Sequence, residues 1–103
     1  MKMQRIKNLL GFAQKSGNLI SGDNTCRAKI KKCKLIILAE NCSEDNFKYY
    51  SYQCAKQDIP ILQILSKDEI GMAIGKSPRT VVGIIDANFA KQIIQIIAGE
   101  GKE

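Results

Sequence analysis

The chain has 103 residues, with 16 Lys and Arg against 10 Asp and Glu for a net charge of +6, and no histidine. That length suits one domain with one core, and the cationic excess favours a polyanionic partner, nucleic acid before anionic membrane. Without histidine there is no His-based acid–base pair and no Cys/His zinc set, and Cys26, Cys33, Cys42 and Cys54 show no C-x-x-C spacing.

Ile6, Leu9, Leu10 and Ala13 recur at i, i+3, i+4 and i+7, the apolar stripe of a first helix that Ser16-Gly17-Asn18 ends. Leu19-Ile20 is short for a strand but fits a sheet edge. A second helix is predicted from Asp23 to Lys32, opened by the turn Gly22-Asp23-Asn24, with Cys26, Ile30 and Cys33 on one face. Leu35 to Ala39 is continuously apolar, as a central strand covered on both faces requires. Ser43 is placed to cap a third helix whose inner face holds Phe47, Tyr50 and Cys54. Ile59 to Ile64 reads as the next strand, with Pro60 at its start, where a missing donor does little harm.

Ser66-Lys67-Asp68-Glu69 has the form of a capping box and starts a fourth helix, which Gly75 ends. Thr80 to Ile85 is a β-branched strand. Asp86 or Asn88 caps a last helix with Phe89, Ile93, Ile96 and Ile97 inward, and the tail from Gly99 to Glu103 is expected to fray. Helices alternating with strands over short connections predict the α/β class, as a three-layer α/β/α sandwich around a mostly parallel or mixed sheet of about four strands. Residues 1–103 form one domain in this reading.

Two segments have the makings of a binding site. The first is the turn Gly22-Asp23-Asn24-Thr25 and the basic stretch after it, Arg27, Lys29, Lys31, Lys32 and Lys34, which contains no acid between Cys26 and Lys34. A helix start offers unpaired N–H groups and the positive end of the dipole. A solvated helix face ordinarily mixes signs, so the uncompensated cations point to an anionic ligand. The plain alternative is that Asp23 or Asn24 is an N-cap and Gly22 a turn residue. The second segment is Gly75-Lys76-Ser77-Pro78-Arg79, either a polar turn stiffened by Pro78 or a second set of phosphate contacts from Lys76 and Arg79.

Gly71 to Ser77 reads G-x-x-x-G-K-S. A phosphate-cradling loop needs one more spacer residue and lies between a strand and a following helix, so nucleotide hydrolysis is rejected. No paired acid–base set occurs elsewhere, and no catalytic residue is assigned. Tyr49, Tyr50 and Tyr52 lie on different sides of one helix, with Tyr50 the core residue, so they form no base-stacking platform. Neither a secretory signal nor a bilayer-length apolar run is present, which places the chain in the cytoplasm with reduced thiols.

Ala13-Gln14-Lys15-Ser16-Gly17, Ser21-Gly22, Ile30-Lys31-Lys32, Leu35 through Ser43, Ser66 through Gly71 and Ala73 through Lys76 occur in this order. Together they resemble the kink-turn RNA-binding ribosomal protein family, of the L7Ae and L30e type, and within it the small bacterial members of YlxQ type. The resemblance covers nearly the whole chain. It implies an α/β/α sandwich and binding to a sharply bent RNA internal loop with tandem sheared G·A pairs. The family motif Gly-x-Asn-Glu-x-x-Lys aligns with Gly22 to Ala28: Gly22 and Asn24 match, while Thr25 and Ala28 stand in place of Glu and Lys, and Arg27 lies one position early. The family's apolar loop before the last strand is here the basic Lys76-Ser77-Pro78-Arg79.

The expected function is non-enzymatic binding of structured RNA by a monomeric ribosomal or ribosome-associated protein, with ribosomal RNA among the targets. In this reading Gly22 lets the backbone approach RNA, Asn24 and Thr25 reach base edges, and Arg27, Lys31, Lys76 and Arg79, with Pro78 shaping the loop, meet phosphates. No metal, cofactor, small-molecule substrate or membrane is expected. The alternative is a protein-interaction or substrate-recognition module without direct RNA readout.

Overall fold

The computed structural model describes residues 2–99. In chain order the elements are α1 (Lys2–Lys15), β1 (Leu19–Ser21), α2 (Asp23–Ala28), β2 (Leu35–Leu38), α3 (Glu44–Gln57), β3 (Ile61–Gln63), α4 (Lys67–Ala73), β4 (Val81–Ile84) and α5 (Ala87–Ile97), with a short 3₁₀ turn at Ile30–Lys32 after α2. The four strands form one sheet in the order β1-β4-β2-β3. It is mixed: β4 pairs antiparallel with both β1 and β2, and β2 pairs parallel with β3.

All four residues of β2 and all four of β4 are buried, which is why Leu35-Ile36-Ile37-Leu38 has no polar alternation. Successive side chains of a strand point to opposite faces, and each face has its own core. Leu35, Ile37, Val82 and Ile84 pack with Ile6 and Leu10 of α1, Ile70 of α4 and Ile93 of α5. Ile36, Leu38 and Val81 pack with Cys26 of α2, Ile30 and Cys33, and Tyr50 and Cys54 of α3. The result is a three-layer α/β/α sandwich: α1, α4 and α5 on one face, α2 and α3 on the other.

Local chemistry sets the element ends. Ser43 caps α3 by accepting from Asn46 N, and Asp86 caps α5 by accepting from Phe89 N. At α4 both halves of the capping box form: Ser66 Oγ accepts from Glu69 N, and Glu69 Oε1 accepts from Ser66 N at 2.9 Å. The Leu19–Ile20 segment is the edge strand β1, paired along β4. The β3 and β4 strands are shorter than the predicted Ile59–Ile64 and Thr80–Ile85; β3 starts later because Ile59 N closes the end of α3 on Cys54 O.

Two expectations are corrected. The helix from Asp23 to Lys32 is not continuous: α2 ends at Ala28, and Lys29, at φ −115° and ψ 24°, turns the chain into the 3₁₀ segment. Like charges within one helical turn repel. The break still buries Cys26, Ile30 and Cys33 on one side while leading the chain into β2. Phe47 is 44% exposed rather than inward, because burial along α3 begins only with Tyr50, beyond the exposed first turn. Of the tail expected to fray from Gly99 to Glu103, Gly99 donates its N–H to Ile96 O at 3.1 Å, and residues 100–103 lie outside the described residues.

Candidate nucleic-acid interface

The turn from β1 into α2 and the loop before β4 are far apart in sequence but meet at one end of the sheet. Gly22 N donates to Val81 O at 3.0 Å. Arg79 Nε donates to Ser21 Oγ at 3.3 Å, across 58 residues of sequence. Between them lies an open groove of about 370 Å³ lined by Ser21 through Thr25 and Pro78 through Thr80.

Gly22 makes this turn possible. It is the N-cap of α2 with φ 94° and ψ 149°, backbone that residues with a Cβ rarely adopt, and no side chain caps the helix. Asp23 and Asn24 therefore do not serve as the cap. The side chains of Asn24 and Thr25 are exposed and make no hydrogen bond among the described residues, so both are free to meet a ligand. On the facing loop Arg79 is held over its own turn, with Nη1 donating to Ser77 Oγ at 2.7 Å and to the carbonyls of Ser77 and Pro78. A guanidinium tethered this way loses little conformational freedom on binding an anion.

Of the sequence-predicted residues, the groove brings together Gly22, Asn24, Thr25, Pro78 and Arg79. Lys31 and Lys76 are exposed but do not line it. Arg27 points into the protein's own framework. Its Nε donates to Asp23 Oδ1 at 2.9 Å, its Nη2 donates to Asn46 Oδ1 at 3.3 Å, and its guanidinium carbon stands 3.7 Å above the Tyr49 ring. Tyr50, fully buried, donates its hydroxyl to the same Asp23 Oδ1 at 2.6 Å. Burial pushes the Asp23 carboxyl up, but hydrogen bonds from Tyr50 and Arg27 and the charge of Arg27 more than offset it, so its pKa lies below the ordinary value. The same burial and the Asp23 contact push the Tyr50 hydroxyl well up, and it stays a neutral donor. Arg27 thus balances the one acid lining the groove, and the groove's own cation is Arg79.

Ser21 and Thr80 line the groove without having been singled out for it, and Asp23, part of the candidate turn, had been given no role beyond a possible helix cap. Asp23 and Arg27 stand at the i,i+4 spacing of a helical ion pair, which was the available signal; the contribution of Tyr50 from α3 had none. Gly71 and Ser77, which suggested a phosphate loop, are joined by packing: Gly71 is buried in α4, and a Cβ there would strike the backbone of Lys76 and Ser77.

A mixed four-stranded sheet between helical layers, with a glycine-opened turn meeting a basic loop at its end, is the framework of a small ribosomal-protein-type domain. The chain belongs to the Ribosomal protein L7Ae/L30e/S12e/Gadd45 family, whose profile matches residues 4–94. It is 36% identical over 98 residues to the RNA-binding protein YlxQ of Enterococcus faecium, covering 93% of this chain and 94% of that protein. It is 30% identical over 91 residues to the RNA-binding protein YlxQ of Bacillus subtilis (strain 168), covering 86% and 91%. Among solved structures, a Bacillus halodurans protein of unknown function superposes with a TM-score of 0.87 at 26% identity, covering 90% of this chain and 96% of that one. The Giardia lamblia 15.5kD RNA binding protein shares the fold, with a TM-score of 0.76 at 19% identity over 94% and 85% of the two chains.

Proposed function

We propose that this protein binds structured RNA through the groove between the Gly22–Thr25 turn and the Pro78–Thr80 loop, without catalysing a reaction on it. The observation that carries this reading is the convergence in one groove of an uncapped, glycine-opened helix start, two exposed polar side chains and a pre-oriented arginine. Folded RNA is read mostly by shape, with few base contacts, and this groove supplies few: Asn24 and Thr25 for base edges, Arg79 for phosphate, Gly22 for close backbone approach. The family membership and the names of the two YlxQ relatives support RNA as the ligand. We assign the protein to the cytoplasm as a ribosomal or ribosome-associated monomer, with a sharply bent internal loop carrying tandem G·A pairs as the RNA shape to test first. Arg27 and Lys31 then act on outlying parts of the RNA, because Arg27 is engaged by Asp23 and Tyr49 and Lys31 does not line the groove.

The test is a gel-shift with a kink-turn RNA and with the same RNA after its G·A pairs are replaced by Watson–Crick pairs. Preference for the first RNA is expected, with Asn24→Ala losing about 1–3 kcal/mol on it and less on a plain duplex. Arg79→Ala should lower the log–log salt slope by about 0.7–0.9, the share of one phosphate contact. Binding that does not change with salt, or equal losses for Asn24→Ala on both RNAs, refutes this assignment of the groove.

A further inference from the structure

On the opposite helical layer, α1 and α4 run in the same direction, with Lys7 opposite Glu69 and Gly11 against Ala73. Between them is a second groove of about 490 Å³, larger than the one beside Gly22. We propose that this groove docks an acidic amphipathic helix of a partner protein.

Its lining mixes polar residues, Gln4, Lys7, Asn8, Lys15 and Glu69, with two large apolar side chains that the core does not use. Phe12 is 58% exposed and Met72 80% exposed, and both line it. Single exposed apolar residues are ordinary, but a shared apolar groove marks an interaction surface, and methionine adapts to varied partners. Gly11 lets the two helices approach closely along the groove floor: a Cβ there would lie 3.1 Å from Ala73 O, and one of the two backbones would have to give.

The charges select the partner. The α1 helix carries Lys2, Arg5, Lys7 and Lys15 and no acid, and of these Lys7 and Lys15 line the groove. Glu69, the one acid lining the groove, is held by Lys7 at 3.2 Å, which leaves Lys15 unopposed at the rim. The α1 side runs from Gln4 to Lys15, about 16 Å at the helical rise, or three turns of a docked helix. A helix with apolar residues at i, i+3, i+4 and i+7 and carboxylates flanking them satisfies both the floor and the rim. RNA fits less well, because Lys15 alone stands unopposed for phosphates and Met72 offers no face for a base to stack on.

The experiment uses two synthetic helical peptides of about 14 residues, with the same leucine stripe, one with Glu and one with Lys at the remaining positions. Each is titrated into the ¹⁵N-labelled protein. The glutamate peptide should shift the amides of Gly11, Phe12, Met72 and Ala73 saturably, and the lysine peptide should bind at least about tenfold more weakly, or about 1.4 kcal/mol. Phe12→Ser combined with Met72→Gln should weaken the glutamate peptide by about tenfold, while leaving the melting temperature and the affinity for RNA in place. Four results overturn the proposal: no saturable shift at these amides, equal binding of the two peptides, displacement of the peptide by RNA at the same amides, or shifts there on raising the protein concentration alone. The third makes the groove a nucleic-acid surface, and the fourth makes it a self-association face.

Discussion

Replacing Gly71 by Ala tests whether packing of α4 positions the loop that carries Arg79. Gly71 is buried, and its carbonyl accepts from Lys76 N at 2.8 Å as the chain folds back after the helix. A Cβ would overlap Ser77 O, sit 2.7 Å from Ser77 C and 2.9 Å from Lys76 O. These are backbone atoms and cannot rotate away as a side chain would, so the helix end or the loop must shift. Overpacking of this kind costs about 1–3 kcal/mol, and the better helix propensity of alanine returns about 0.5–1 kcal/mol. At the middle of both ranges the net loss is about 1 kcal/mol, or about 4–8 °C in Tm for a domain of this size. Circular-dichroism melting measures the loss, with Met72→Ala on the exposed side of the same helix as a control expected to change Tm little. The amide shifts of Lys76, Ser77, Arg79 and, across the groove, Asn24 should move, and RNA affinity should fall with them. A Gly71→Ala protein as stable as the parent, with unmoved loop amides, refutes the idea that this close approach holds the loop.

Asp23 should leave a pH signature. Its pKa is depressed in the folded protein, so its stabilising effect is full above the unfolded carboxyl pKa and is lost as pH falls through the folded value. Denaturant midpoints of wild type and Asp23→Asn measured down to pH 2 should therefore differ most near neutrality, by under about 1 kcal/mol for so exposed a pair, and converge in acid; a constant gap refutes the linkage. Burial pushes the thiols of Cys26 up to about 12 and of Cys33 and Cys54 up to about 11, whereas Cys42 is only half-buried. A disulfide reagent at pH 8 should label one thiol quickly and all four only after denaturation, and two or more equally fast thiols would contradict the packing of the α2–α3 face. Ser66→Ala removes one half of the capping box on α4 and should cost about 1 kcal/mol by thermal melting; an unchanged Tm means that Glu69 alone suffices to hold the helix start.

The elements most legible in the sequence were those fixed by short-range chemistry. The apolar run at Leu35–Leu38, the stripe Ile6/Leu10/Ala13 and the Ser66–Glu69 box each specify their element without help from distant residues. The break at Lys29 was hidden because spacing alone places Cys26, Ile30 and Cys33 on one helical face equally well; repulsion among the lysines and the turn into β2 decide otherwise. Phe47 misled for a related reason: helical period says which residues share a side, not where along the helix the neighbouring layer begins. At the groove, both loops were visible as separate segments, but nothing local links Ser21 to Arg79. The engagement of Arg27 by Tyr49 and of Asp23 by Tyr50 depends on how α3 lies against α2, a relation with no signature within either segment.

The place of β4 in the sheet governs when the protein can fold during synthesis. The β4 strand is the last in sequence, yet it lies between β1 and β2, which have no contact ladder of their own. A growing chain that has not reached Val81 can pair β2 only with β3, while β1 waits for a partner some sixty residues downstream. Closing so long a loop before any contact rewards it is the slow step expected of non-local pairing. The β4-facing edge of the apolar β2 therefore stays unpaired until Ile84 is available, and the groove beside Gly22, tied to Val81 through Gly22 N, comes into being only at that same late moment.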